Sequence, residues 1–239
     1  MPGKKTVMTT TRSAENTRYF AVSLFLMLMS NRIIFSLGHF LTLGSYHWDI
    51  RLPIDAHIPF LPWTVLIYNG VYLWWLFIYW LIAHRDRQEA NHFFSALLLA
   101  KAISLLLFLF FPTSISRPEL SGSSLWDVSL CLVYKIDSPD NLFPSIHCVL
   151  GWTCWIGVRG KKDLPSALRV SSFILAVMVC LSTLTIRQHV LLDVFAGILL
   201  SECCYRLCNR SALNRWYAGL VDRLTSVLTA ALHRTPRKK

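Results

Sequence analysis

The sequence predicts an all-α membrane protein, built as a polytopic bundle of six transmembrane helices. Charged residues make up only 15% of the 239 residues and hydrophobic residues make up 54%, whereas ordinary soluble domains contain about 25% charged residues. Residues 58–83 contain no Asp, Glu, Lys or Arg, and a helix needs about 20 apolar residues to cross a bilayer. These features exclude a soluble globule and a disordered chain.

Six apolar stretches, each bounded by charged or turn residues, are the predicted spans. They cover about 19–41, a part of 58–83, about 92–112, 145–158, 168–186 and 189–207. The membrane domain therefore occupies residues 18–209. A basic cytoplasmic tail, 1–17, precedes it, and a basic, amphipathic cytoplasmic segment, 210–239, follows it, as a helix either on the membrane surface or packed on the bundle.

The distribution of basic residues predicts the orientation of these spans. With both termini cytoplasmic, the outer segments hold only Arg51, Arg117, Lys135 and Arg187, as the positive-inside rule requires. No small-residue cleavage site precedes Asn31 and Arg32, and the apolar character resumes at Ile33, so we expect the first stretch to be retained as a membrane helix rather than removed as a signal peptide.

The net charge of +11 fits an anionic membrane surface better than nucleic acid as the partner. The seven cysteines show no paired spacing, so we interpret them as buried thiols rather than as disulfides or a metal site.

Three polar clusters far apart in the sequence fall on the outer face in this topology. The first contains Arg117 and Pro118, the second runs over residues 137–147, and the third over residues 187–193. We therefore expect the three clusters to form a single site at the outer end of the bundle.

The third cluster pairs a histidine with a carboxylate. His189 and Asp193 are four residues apart, so on a helix they share one face and the carboxylate can accept a hydrogen bond from Nδ1. This leaves Nε2 free to act as a nucleophile or a base.

The second cluster offers donors for an anion and a proton. Pro144 suits the first turn of a helix, whose free N–H groups attract anions; Ser145 adds a hydroxyl, and His147 can protonate a leaving oxygen. Arg117 offers a planar fork for phosphate oxygens.

Together these groups predict a metal-free phosphoryl-transfer site that needs no cofactor. A zinc site is the alternative, but no third nitrogen or sulfur ligand has a suitable spacing.

The Pro144-Ser145-x-His147 motif, followed by His189-x-x-x-Asp193 and preceded by Arg117-Pro118, resembles the type 2 phosphatidic acid phosphatase superfamily of membrane lipid phosphatases and phosphotransferases, especially its inositol phosphorylceramide synthase-like branch. The resemblance implies that His189 becomes phosphorylated, that Asp193 is its partner and that His147 is the acid. It implies Ser145 and Arg117 as phosphate ligands, and we add Arg187 and Asn141 as candidates.

The chain departs from the family pattern at two cationic positions. Phe110 stands where the first motif usually has Lys, and Ser182-Thr183 stand where the third motif usually has Ser-Arg. Arg187 could substitute if the chain forms a turn there, and Lys135 is a weaker candidate.

The predicted function is therefore a lipid phosphate phosphatase with a phosphohistidine intermediate, acting on phospholipid, sphingolipid or polyprenyl phosphates at the extracytoplasmic face. The alternatives are a lipid phosphotransferase and a non-catalytic lipid-binding or transport protein.

The short fourth span predicts a site sunken below the interface. Arg32, Lys101 and Glu202 lie at similar depths and suggest an internal ionic cluster.

Overall fold

The computed structural model describes residues 3–120, 122, 124–209 and 211–234, with side chains described from residue 14 to residue 230. This part of the chain is all-helical. Its helices are α1 (Gly3–Thr42), α2 (Val65–Arg85), α3 (Arg87–Phe110), α4 (Leu125–Ile136), α5 (Ile146–Arg159), α6 (Ser166–Thr185), α7 (Leu191–Cys208) and α8 (Ala212–Arg234). Two short 3-10 turns, Pro53–His57 and Pro62–Thr64, lie between α1 and α2.

Four of the described helices are long and apolar enough to cross a membrane: Ala14–Thr42, Pro62–Arg85, Arg87–Phe110 and Ser166–Thr185. They correspond to the first, second, third and fifth predicted spans. The fourth and sixth predicted spans form α5 and α7, which have 14 and 18 residues. At a rise of 1.5 Å per residue α5 is only about 21 Å long, and α7 includes Asp193, Glu202 and Arg206. The chain is therefore a helical membrane protein, and the count of six spans is not confirmed.

The direction of each helix decides which helix ends lie together at one end of the bundle. The carboxyl ends of α1, α3 and α6 lie at the same end of the bundle as the amino ends of α2, α5 and α7, because α5 and α7 follow loops that contact the segments after α1 and α3. The polar clusters expected to converge occupy this end, which we call the site end. The apolar core lies below it, around Phe93, Phe94 and Val149, all fully buried.

The predicted basic tail 1–17 is continuous with the first span. Residues 3–17 belong to α1, and residues 1 and 2 lie outside the described residues. The sequence pattern contains no Pro or Gly between residues 4 and 37 to end a helix there.

Helix α4 has no counterpart among the predicted spans. It begins after Ser124, whose hydroxyl accepts a hydrogen bond from the backbone N–H of Asp127 at 3.0 Å, as an N-cap residue does. With only 12 residues it is too short to cross a membrane, which takes about 20 residues. Its exposed apolar side chains form a stripe beside the site end: Leu125, Val128, Leu132 and Ile136.

Helix α8 packs on the bundle with one face. Tyr217 and Val221 are fully buried in the main core, whereas Trp216 and Val227 are more than half exposed. Of the two arrangements open for the carboxyl-terminal segment, the described part adopts the packed one. Residues 210 and 235–239 of that segment lie outside the described residues.

The prediction of an internal ionic cluster of Arg32, Lys101 and Glu202 is wrong. The Lys101 ammonium donates hydrogen bonds to the Met27 carbonyl at 2.8 Å and to the Ser30 hydroxyl at 3.1 Å. Glu202 accepts from Arg159 at 2.8 Å and from the Trp152 indole at 3.0 Å. Arg32 lies on the surface of α1. Equal depth along a span did not bring these charges together, because each side chain faces a different neighbour around its helix.

Gly157 lets α5 approach α2 and α3 closely, so we expect Gly157→Ala to destabilise the fold. A Cβ atom there would lie 2.7 Å from Cδ1 of Ile82 and 2.9 Å from Cδ2 of Phe93, and both side chains are buried in the core. Such overpacking costs about 1–3 kcal/mol. Thermal unfolding in detergent measures the effect. Gly70→Ala is the matched control, because nothing lies within 4 Å of its Cβ position; an equal loss in both variants would contradict the packing argument.

Candidate active site

The two predicted catalytic histidines line one cavity of about 240 Å³ at the site end. We call it the histidine cavity. Its walls also include Arg32 and His39 of α1, Tyr68 of α2, and Asp137 from the loop after α4. The structure therefore brings the second and third polar clusters together, as the sequence predicts, and adds a wall from α1.

His189 is paired with Asp193 in the predicted way. Its Nδ1 atom lies 3.1 Å from Oδ2 of Asp193, and both side chains are buried. The helical premise of that prediction is wrong, however, because α7 begins at Leu191 and His189 precedes it. Asp193 instead lies in the first turn, where the same Oδ2 accepts the backbone N–H of Val190 at 3.0 Å. One carboxylate oxygen thus fixes both the start of α7 and the orientation of the imidazole.

Backbone contact between α5 and α7 holds the two histidine motifs together. The N–H of Ser145 donates to the carbonyl of Asp193 at 3.1 Å. A Cβ atom on Gly197 would lie 2.9 Å from the carbonyl oxygen of Ser145, so the close approach of the two helices requires glycine at this position.

Ser145 is the N-cap of α5 rather than a residue within the helix. Its hydroxyl oxygen accepts a long hydrogen bond from the Cys148 N–H at 3.4 Å, which leaves the hydroxyl hydrogen free for another acceptor. The expectation that Pro144 occupies the first turn is wrong, because α5 begins at Ile146. Ser145 supplies the cap, and Pro144 precedes it.

His147 contacts tyrosine hydroxyls through both ring nitrogens. Nδ1 lies 3.2 Å from the Tyr68 hydroxyl, and Nε2 lies 2.9 Å from the Tyr72 hydroxyl. The imidazole also stacks on the Tyr68 ring, with 4.1 Å between ring centroids. The Tyr68 hydroxyl in turn donates to Oδ2 of Asp137 at 2.9 Å.

Arg117 is held by the protein itself. Its two terminal nitrogens donate to the backbone carbonyls of Tyr134, Asp137 and Ser138 and to the side-chain oxygen of Gln188. Burial lowers the pKa of its guanidinium from the ordinary value. Arg117 thereby ties the first cluster to the second and third, and its predicted role in binding phosphate stays a prediction.

Arg187 lies in a turn, which is the condition under which the sequence predicts that it substitutes for a missing family cation. Its φ angle is +55°, and its terminal nitrogens donate to the carbonyls of Asp55 at 2.7 Å and Ile58 at 2.6 Å. It lines a second cavity of about 550 Å³, together with Arg51, Arg117 and His189. We call this the arginine cavity; His189 lies between it and the histidine cavity.

Asn141 connects the site to α1. It adopts a φ angle of +54°, lines the histidine cavity and donates to the Thr42 hydroxyl at 2.9 Å. Next to it, Asp140 lies 2.7 Å from Nδ1 of His39. Lys135, the weaker candidate cation, is exposed on α4.

The site residues of the first two helices were not predicted from the sequence. Arg32, Phe35, Ser36 and His39 line the histidine cavity and follow the spacing that places residues on one helical face. Tyr68 and Tyr72 are also four residues apart, near the site end of α2. Polar or phenolic pairs at this spacing, in the outer half of an otherwise apolar span, were the available signal.

A search of curated proteins finds no match to the chain. A family model does match it, over residues 112–217, which contain all seven predicted site residues. This region of the chain is thus similar to the PAP2 superfamily, whose members are phosphatases or phosphotransferases.

Proposed function

We propose that the protein is a membrane-embedded phosphatase that removes a phosphate group from a lipid through a phosphohistidine intermediate. The observation that carries the proposal is that His189, oriented by Asp193, lines the same cavity as His147. A nucleophile with a free Nε2 and a separate proton donor are the two groups that phosphoryl transfer through histidine requires.

In the first step, Nε2 of His189 forms a bond to phosphorus and the bond to the lipid oxygen breaks. The lipid oxygen takes the departing electron pair and a proton from the charged imidazole of His147, so the lipid leaves as an alcohol. Asp193 stabilises the positive charge that develops on His189. In the second step, water attacks phosphorus and gives a proton to His147, the P–N bond breaks, and inorganic phosphate leaves. Both histidines then return to their starting states.

Arg32 is the cation we assign to the phosphate in the histidine cavity. Within the described part of the chain its guanidinium has no hydrogen bond or ion pair, whereas Arg117 and Arg187 donate to carbonyl oxygens. Arg32 lies ten residues before the end of α1, about 15 Å along the helix. An unpaired charge at such a depth in a span is costly, and a phosphate would offset that cost. The Ser145 hydroxyl and the Asn141 amide are the neutral ligands of the proposal.

The size and the apolar edge of the histidine cavity suit a lipid head group. A volume of about 240 Å³ is smaller than the roughly 300–1,000 Å³ of sites that enclose whole drug-sized ligands. The exposed side chains of Phe35 and Ile136 line its edge. We therefore propose that the acyl or prenyl chains stay in hydrocarbon beside α1 and α4. In this proposal α5 and α7 complete six spans, both termini are cytoplasmic, and the site faces outward.

The direct test is phosphate release by the purified protein in detergent. The substrates are phosphatidic acid, phosphatidylglycerophosphate, a sphingoid phosphate and a polyprenyl diphosphate, each assayed with a chelator present. Release from at least one of them supports the proposal. Binding of these lipids without release from any of them favours a lipid-binding or transport protein.

The arginine cavity favours phosphotransfer as the second candidate function. Because His189 lines both cavities, an acceptor bound through the arginine cavity could place its hydroxyl where the lipid oxygen left, in line with the P–N bond that breaks. Incubating a lipid labelled in its phosphate with an acceptor such as diacylglycerol separates the two functions. Label in a new phosphate ester supports transfer, and label in inorganic phosphate alone supports hydrolysis.

We expect Arg32→Gln to raise KM for the lipid phosphate by about 10- to 100-fold, because a hydrogen bond to a charged group contributes about 1.5–3 kcal/mol. Arg32→Lys should recover part of the affinity, since it keeps the charge but loses the planar fork. Initial rates over a range of surface concentrations measure the effect. Arg18→Gln is the control on the same helix, because its guanidinium contacts Thr229 of α8 and lies away from the cavity. Equal KM values for Arg32→Gln and Arg18→Gln would refute the assignment.

A further inference from the structure

We propose that Asp137 and Tyr68 are positioning residues for His147, and that the Asp137 charge acts through the Tyr68 hydroxyl to stabilise the protonated imidazole. This inference rests on the proposed function, because it explains how the proton donor of that reaction is prepared. Both histidines of the site would then be supported by a carboxylate, His189 directly by Asp193 and His147 through a phenol.

The direction of the hydrogen bonds follows from a count of hydrogens. A tyrosine hydroxyl has one hydrogen, and the Tyr68 hydroxyl donates it to Oδ2 of Asp137 at 2.9 Å. The contact of 3.2 Å between the same hydroxyl and the imidazole must therefore use the hydrogen on Nδ1 of His147. This arrangement fixes Nδ1 as protonated, so Nε2 is the nitrogen that gains and loses the catalytic proton.

Packing holds this chain of hydrogen bonds in place. Tyr68 is 2% exposed and belongs to a small cluster with Leu130 and Val133 of α4 and Ile186. Its ring lies against the imidazole, with an angle of 27° between the two planes. Asp137 directly follows the last residue of α4, and its carbonyl oxygen accepts a hydrogen bond from Arg117 at 2.7 Å. Helix α4, Ile186 and Arg117 thus fix Tyr68, which faces Nδ1, and Asp137 behind it.

The Tyr72 hydroxyl, 2.9 Å from Nε2, occupies the position of a hydrogen-bond partner on the other side of the ring. With a neutral imidazole it donates its hydrogen to Nε2. In the charged imidazole Nε2 carries the hydrogen that is passed to the lipid oxygen, which takes the place of Tyr72 as the acceptor. The proton then leaves Nε2, while Nδ1 keeps its hydrogen bond to Tyr68 throughout.

The charge of Asp137 matters most when the leaving group needs a proton. An alkyl oxygen is a poor leaving group and depends on a general acid, whereas a nitrophenolate leaves without protonation. The proposal therefore predicts a selective loss. Removing the Tyr68 hydroxyl or the Asp137 charge should slow the release of an alkyl alcohol far more than the release of a nitrophenolate.

The test compares a long-chain alkyl phosphate with a nitrophenyl phosphate that carries the same chain. For Tyr68→Phe, and for Asp137→Asn, which keeps an acceptor oxygen but loses the charge, we expect kcat for the alkyl phosphate to fall tenfold or more relative to the nitrophenyl phosphate. Tyr79→Phe is the matched control on the same helix, because Tyr79 packs against Phe93 and Phe94 in the core, and it should leave the ratio unchanged.

A double substitution checks that Tyr68 acts through His147. In a His147→Gln background, Tyr68→Phe should cause no further loss, since residues that act as a unit are not additive. Equal losses for both substrates, or a full further loss in the His147→Gln background, would overturn the inference. Turnover that survives His189→Ala would instead overturn the proposed function, so the two failures are distinguishable.

Discussion

His189→Ala should abolish phosphate release from the lipid substrate, with a loss of about 10⁴-fold or more. The imidazole supplies the nucleophile in the proposed reaction, and Ala offers no atom that can bond to phosphorus. The loss should appear in kcat, because Asp193 and the backbone contact between Ser145 and α7 remain in place. KM for the lipid should therefore change little.

The measurement is twofold: phosphate release, and trapping of a labelled phosphoenzyme by rapid denaturation. The wild-type protein should yield a label that is stable to alkali and labile to acid, as a phosphorus–nitrogen bond is, and His189→Ala should yield none. His84→Ala is the control, because His84 lies at the opposite end of α2 and contacts Trp80. A phosphoenzyme that still forms in His189→Ala would assign the nucleophile to another residue.

Asp193→Asn should lower kcat by about 10³-fold, because the carboxylate both selects the imidazole tautomer and stabilises the imidazolium. Loss of the corresponding carboxylate in a Ser-His-Asp triad costs about 10⁴-fold, and the present contact has a similar form, with 3.1 Å between Nδ1 and Oδ2. The Asn amide can present an N–H group to Nδ1, which would move the imidazole hydrogen to Nε2 and remove the nucleophilic lone pair.

Folding should survive this substitution even when the Asn NH2 group faces Nδ1, because the only hydrogen bond then lost at the start of α7 is the one from the N–H of Val190, and loss of a helix cap costs about 0.5–2 kcal/mol. Thermal unfolding in detergent checks that point, and a rapid-mix phosphoenzyme assay locates the loss in the first step. Asp163→Asn is the matched control, because Asp163 pairs with Arg85 at the other end of the bundle. Equal rates for wild type and Asp193→Asn would show that the orientation of His189 does not limit the reaction.

The helices were predictable because their signal is local. Apolar runs of about 20 residues and their flanking polar residues defined the stretches that became α1, α2, α3 and α6 to within several residues, apart from the amino end of α1. Helix α4 escaped because 12 residues of mixed pattern fall below the length of a span. Its N-cap, Ser124, was a local signal for its start.

The site residues also fall into those that the sequence predicted and those that it did not. The spacing of His189 and Asp193 predicted their contact, although the contact depends on the first turn of α7 rather than on a continuous helix. Tyr68 and Arg32 could not be placed by motif, because they lie outside the matched region and reach the cavity only through helix packing. Arg117 is the opposite case. Its motif predicted a phosphate as the partner of its guanidinium, whereas in the structure the guanidinium donates to backbone carbonyl oxygens.

The sequence by itself determined that this chain is a helical membrane protein with two histidines and a carboxylate at one end, because hydropathy and the spacing of nearby residues are local properties of the sequence. Only the tertiary structure decided which side chains surround those histidines. The rotation of each helix about its axis is set by packing against all of its neighbours at once, and that rotation turns Arg32, Tyr68 and Asp137 toward the cavity while it turns Lys101 and Glu202 toward other partners.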